Sequence, residues 1–152
     1  MINVPFGTND MNSKLTENWN AVVKKTDLVF HLGDFAFSRH NSFFSQLNGI
    51  KYLVRGNHDS KECEKLEWQN IYDICEFEYE DTYMVLCHYP LTTWNHVRHG
   101  AFHFYGHIHS NIDQFPLQKM MDVGVRNIGY KPIKLDTAVS LTRKYKREFN
   151  RN

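Results

Sequence analysis

The chain has 152 residues, 41% hydrophobic and 14% aromatic, with a formal net charge of +1; this is one domain with a proper core rather than a disordered segment, and the charge points neither toward nor away from a polyanionic partner. No apolar run approaches a membrane span, and the first residues lack the basic-then-apolar order of a signal peptide. Cys63, Cys75 and Cys87 are odd in number and show no CxxC spacing, the pattern of reduced, buried thiols in a cytoplasmic protein.

Met1 to Thr8 is irregular, because Pro5 and Gly7 discourage regular structure, and Asn9 or Asp10 can cap the helix that follows. Met11, Leu15, Trp19, Val22 and Val23 recur at helical spacing, so an amphipathic helix is expected to end near Lys24 and Lys25, whose charge suits a helix C-terminus. Asp27 to Leu32 reads as a strand that runs into a tight turn at Gly33 and leaves Asp34 at its carboxyl end. After the loop Phe35 to Arg39, a short helix carries Phe43, Phe44 and Leu47 and stops at Asn48-Gly49. Ile50 to Val54 is the second strand. Ser60 to Trp68 reads as a helix with Ser60 as cap and Glu62 and Glu64 in its first turn.

From Ile71 the period changes. Ile71 to Glu80 and Tyr83 to Cys87 read as strands of an antiparallel hairpin turning at Glu80-Asp81-Thr82. Thr92 to Gly100 is a polar loop or helical turn; Ala101 to Tyr105, Met120 to Val125 and Lys131 to Lys134 are the remaining strand candidates, and Asp136 opens a final helix. Helix-strand order followed by mostly strands implies a mixed sheet pair flanked by helices, an α/β domain. There are no internal repeats and no low-complexity linkers.

Four apolar runs stop at polar clusters: Gly33-Asp34, Gly56-Asn57-His58-Asp59, His88-Tyr89-Pro90 and Gly106-His107-Ile108-His109. Carboxylate, amide oxygen and neutral imidazole are ligands of borderline hardness, suited to manganese, iron or zinc more than to calcium. Asp34, Asn57, His88 and His107 make one complete shell, and Asp34 can bridge a second ion. His107 and His109 are two apart, so in an extended segment both rings leave on one side and reach the same site or two adjacent ones. Such metal sites acidify a water for in-line attack on phosphorus, and His58 is placed to protonate the leaving alkoxide.

Plainer readings stand beside these. His31 and His103, each within a strand, read as satisfied core residues, and Cys87 as a small buried hydrophobe beside Val85. Gly56 to Asp59 taken alone fits a simple turn. Trp94, Asn95, His96 and His99 face substrate or form a surface loop, with nothing in the sequence to decide between the two. The basic run Arg143 to Arg147 fits a solvated terminal helix better than a nucleic-acid contact. The joint order of the four rims lifts the ligand set above chance.

With those signatures in hand, the chain closely resembles the calcineurin-like metallophosphoesterase superfamily, in particular its small stand-alone bacterial and phage members. Met11-Asn12, Leu15, Asn18-Trp19-Asn20, Asp122-Val123-Gly124-Val125 and Gly129-Tyr130-Lys131-Pro132 also match that branch, so the resemblance covers nearly the whole chain as a single domain, 1–152. It implies a four-layer α/β sandwich that hydrolyses a phosphomonoester or phosphodiester with divalent metal, manganese first and iron or zinc as alternatives. Asp34 would bridge two metals, Asn57, His88 and His107 would complete one site, His109 would bind the other ion, and Asp59 would orient the ring of His58, the acid.

The resemblance breaks at the start. Family members open with a strand ending in Asp-x-His, whereas here the helix match begins at Met11, and Asp10-Met11-Asn12 lies within that match. The second metal then keeps only Asp34 and His109, which leads to the expectation of a mononuclear or weakly active chain with exposed strand edges prone to self-association. A reading frame started too late, a fragment completed by another chain and a non-catalytic descendant each account for the gap. Two functions from other classes follow: a metal-poor interaction module on the same fold, and a nucleic-acid binder working through the basic tail.

Overall fold

The structure is a computed structural model that describes residues 11–36, 40–109 and 119–149. The expected Asn9 or Asp10 cap and the irregular first residues lie outside it, as does the end of the loop reaching Arg39.

Helix α1 spans Met11–Asn20. It ends earlier than the apolar spacing implied, because Val22 and Val23 both donate to the Trp19 carbonyl and tighten the last turn, and Lys24 N–H then closes on the Asp27 carboxylate. Trp19 and Asn20 fasten this end to the next turn: the indole donates to Asn48 O at 2.8 Å and the Asn20 amide to Gln46 O at 2.8 Å. Strand β1 is Leu28–His31, helix α2 is His40–Phe44 and strand β2 is Ile50–Val54. Leu47 falls in the turn after α2 yet is buried, so the apolar position was read correctly and its helical state was not.

Helix α3 runs only from Lys61 to Glu64, capped by Ser60, whose side chain accepts from Cys63 N–H. The helix ends in a tightened turn, in which Cys63 O accepts Leu66 N–H at 3.2 Å, and Trp68 turns back to donate its indole N–H to the same carbonyl at 2.9 Å.

The span expected as one strand from Ile71 to Glu80 is two. Strand β3, Ile71–Tyr72, pairs parallel with β2, and strand β4, Ile74–Tyr79, pairs antiparallel with β5, Thr82–Cys87, in a different sheet. The chain changes sheets at Asp73, which is held there by the guanidinium of Arg55, itself bonded to Glu64 at 2.7 Å. Glu80 and Asp81 both take positive φ, 45° and 58°, the geometry a two-residue hairpin needs.

A 3-10 turn, Val97–His99, occupies the polar loop before strand β6, Phe102–Tyr105; strand β7 is Met120–Asp122 and helix α4 is Leu135–Phe149. β7 stops at Asp122, three residues short of expectation, and 131–134 is an irregular approach to α4 rather than a strand. The expected sheet pair is present. One sheet has the order β1-β2-β3, all parallel, and the other β4-β5-β6-β7, in which β5, β6 and β7 are parallel.

The sheets share a core of Val54, Met84, Leu86, Phe102 and Phe104, joined by Phe30 and Phe77, whose rings stack at 5.3 Å, and closed by Ala138 and Val139 of α4. A second cluster, Val85, Trp94, Ala101, Tyr105 and Met120, packs beneath the 91–100 loop. The carboxyl ends of β1, β2, β5 and β6 meet at one edge, where the His88 ring bonds the Leu32 carbonyl from the other sheet at 2.7 Å.

Candidate metal centre

Two glycines let that edge close. Gly33 has φ +84°, and a Cβ there would lie 2.5 Å from both Gly56 N and His88 Nδ1; a Cβ on Gly56 would lie 2.4 Å from Asp34 Oδ1. Asp59 clasps the same two loops, accepting Asp34 N–H at 2.9 Å, Phe35 N–H at 2.9 Å and Gly56 N–H at 2.7 Å. Burial alone would raise its pKa, but these N–H bonds and nearby His31 outweigh burial and hold the carboxyl below its ordinary range.

On this frame Asp34, His88 and His107 each bring one ligand atom to within 4.8 Å of the others. Measured from His88 Nε2, Asn57 Oδ1 is at 3.1 Å, His107 Nδ1 at 3.2 Å and Asp34 Oδ2 at 3.5 Å. His88 Nδ1 faces the Leu32 carbonyl, which can only accept, so Nδ1 carries the proton of the neutral ring and Nε2 turns a lone pair inward. In that tautomer an amide oxygen, a carboxylate oxygen and an imidazole lone pair converge on one point. A divalent cation is the group that fits, and the Leu32 carbonyl is the outer partner that fixes the ligand tautomer.

Asp34, His107 and His109 are all left-handed, with φ of 55°, 69° and 48°, a conformation that costs a non-glycine residue about 1–2 kcal/mol. Backbone strain on three neighbours of one rim marks a site held for purpose. His107 is kept below its usual pKa, by burial first and by the adjacent His88 second. His109 is exposed and stands outside the three-residue cluster. His58 is exposed beside the site and its main-chain N–H donates to Asp34 Oδ1 at 2.9 Å. The half-exposed Tyr89 sets its ring edgewise to His88 and His107, with centroids 4.9 and 4.8 Å away, and walls one side.

Asp59's main-chain clasp went unseen in the sequence, where it figured as the partner of His58. His103, read as a satisfied core residue, is one: Nδ1 donates to Val85 O at 3.0 Å, so Nε2 accepts Leu91 N–H at 3.1 Å and steadies the loop following His88. His31 departs from that reading, since its Nδ1 is buried without a hydrogen-bond partner among the described residues and burial pushes its pKa down to about 4, against the pull of Asp59 and Asp34. Cys87 is buried, and its thiol pKa is raised by burial, as a hydrophobe's role requires.

A sequence model of the Calcineurin-like phosphoesterase superfamily domain matches residues 11–126. The chain is 34% identical over 155 residues to an uncharacterized protein of Methanocaldococcus jannaschii, covering 95% of this chain and 82% of that protein. Its fold is similar to the crystal structure of a protein of unknown function from Aquifex aeolicus, with a TM-score of 0.73 and 25% identity over 91% of this chain and 88% of that one.

Proposed function

Because the chain belongs to the calcineurin-like phosphoesterase superfamily, we propose that it is a metal-dependent hydrolase of a phosphomonoester or phosphodiester, with Asp34, Asn57, His88 and His107 holding a divalent ion. The observation that carries this reading is the convergence of Asn57 Oδ1, Asp34 Oδ2 and His107 Nδ1 on Nε2 of His88. Manganese is the first candidate, and iron and zinc suit the same donors. A divalent ion held there would supply Lewis acidity toward a phosphoryl oxygen and lower the pKa of water toward about 7. His109, exposed after β6, would be a donor for a second ion.

This chain's residues have separable tasks. His88 is locked by Leu32 O and orients the centre. Asp59 holds the Asp34 and Gly56 turns at their spacing. His58, exposed at the rim, gives a proton to the departing alkoxide. Tyr89, edgewise to His88 and His107, limits the approach on its side. The three cysteines are free and buried, in keeping with a reducing compartment such as the cytoplasm. No helix among the described residues is long and apolar enough to cross a membrane.

The test is hydrolysis of bis(p-nitrophenyl) phosphate and p-nitrophenyl phosphate by the manganese-loaded chain, with metal content measured on the same samples. His58→Ala is expected to cut turnover by about 10²–10⁴-fold while keeping the metal, as loss of a general acid does, whereas Asp34→Ala loses both. Equal metal loss in the two variants contradicts the assignment.

A further inference from the structure

The parallel strands β5, β6 and β7 end at the metal rim, and the opposite edge, where they begin, holds a cavity of about 280 Å³. β5 separates the two edges by six residues, Thr82–Cys87, or about 17 Å of extended chain. The cavity is therefore not part of the centre described above.

Its floor is buried, formed by Phe102 and Thr142. Its walls carry the cations Lys119 and Arg143 together with His99. Arg143, projecting from α4, holds its guanidinium over the Phe102 ring at 5.4 Å. Arg143 is exposed, and this placement sets the open side of its planar fork over an apolar floor. Lys119 reaches across from the start of β7 so that a Cβ on Gly100 would stand 3.0 Å from Nζ, and Gly100, at φ +102°, leaves that space to the ammonium. Among the described residues no carboxylate lies within ion-pair distance of Lys119 or Arg143. The carboxylate on the cavity wall is the exposed Asp81, on the β4–β5 turn. Two cations held on separate elements, converging on one concavity and, among the described residues, not ion-paired, match a small anion with several oxygens.

We propose that this cavity is a second binding site, for a small phosphoryl-bearing anion, separate from the metal centre. Arg143 grips two oxygens with its fork, Lys119 adds a point charge from the other wall, and Phe102 and Tyr83 give the anion's organic part an apolar side on which to lie. Occupancy ties α4 to the β6 and β7 starts, so a ligand here stabilises the sheet whose far ends carry His88 and His107.

Inorganic phosphate is the probe. Calorimetric titration of the full chain is compared with the Asp34→Ala chain, which removes the metal centre's claim on phosphate, and with Arg143→Gln and Lys119→Gln. The expected result is phosphate binding that survives Asp34→Ala and weakens at least about tenfold in each of the other two variants, the scale of one lost charge-assisted bond. Thermal melting without phosphate confirms that Arg143→Gln and Lys119→Gln are folded, and phosphate raises the melting temperature of wild type but not of these variants. Binding that disappears with Asp34→Ala, persists unchanged in Arg143→Gln and Lys119→Gln, or yields to an equal preference for succinate overturns the proposal. The failure of this site leaves the manganese-dependent hydrolysis untouched, so the two readings fall separately.

Discussion

Asp59 offers the sharpest test of how the rim is built, because one side chain joins loops from two strand ends. Replacing it by alanine removes three main-chain N–H bonds of 2.7–2.9 Å to a charged acceptor. At about 1.5–3 kcal/mol each these would total about 4–9 kcal/mol, but the group is half-buried and water recovers part, so a loss of about 3–4 kcal/mol is expected. For a domain of this size that lowers the melting temperature by about 10 °C. Asp59→Asn keeps one acceptor oxygen and turns its amide donor against a main-chain N–H, so about half of the effect remains.

The pH dependence follows from the sign of the shift. The folded pKa of Asp59 is below the unfolded value, so its contribution is complete above the ordinary carboxylate pKa of about 4 and fades as pH falls through the lower folded value. Urea unfolding of wild type and Asp59→Ala at several pH values reads this directly: the difference is constant from neutral pH down to about 5 and narrows below about 4. A variant as stable as wild type, or a difference that widens in acid, refutes the clasp.

Gly33→Ala forces a Cβ to within 2.5 Å of main chain and of the His88 ring at a positive φ, so a loss of about 3 kcal/mol or more is expected, with weakened manganese uptake, by urea unfolding and elemental analysis. His103→Phe strands Val85 O and Leu91 N–H and should cost about 2–4 kcal/mol by the same unfolding assay. Because burial holds His103 and His31 below the ordinary imidazole value, both contribute stability that is present at neutral pH and declines as pH drops below about 6.5, the His31 part continuing to about 4; His103→Phe should flatten that decline, and an unchanged slope counts against its buried neutral state.

The strand ends were legible because each apolar run is short and stops at a polar cluster, three of the four with glycine in it; β2 was read to its residue limits, and the two strand ends that meet at the β4–β5 turn to within one residue. What escaped was set by side chains meeting across long separations. The change of sheet at Asp73 depends on Arg55, eighteen positions earlier, and leaves no trace in the alternation from Ile71 to Tyr79. Likewise α3 ends in a tightened turn to which the Trp68 indole donates back at Cys63 O, while the apolar spacing through Trp68 continues to look helical. Asp59 shows the same limit at the site: Gly56-Asn57-His58-Asp59 advertises polar chemistry, but only the fold shows that the carboxylate serves main-chain N–H groups of two loops. The approach of His88 to Leu32 O, which sets the ring's tautomer, joins residues 56 apart and could not be read from either motif.

The central claim is that His88 Nε2, Asp34, Asn57 and His107 form a metal centre. Manganese content per chain, measured by elemental analysis after loading and removal of excess ion for wild type and His88→Ala, tests it most directly. The account predicts at least one tightly held ion per wild-type chain and loss of that ion in His88→Ala. Equal manganese content in the two proteins, or none in wild type, would contradict it.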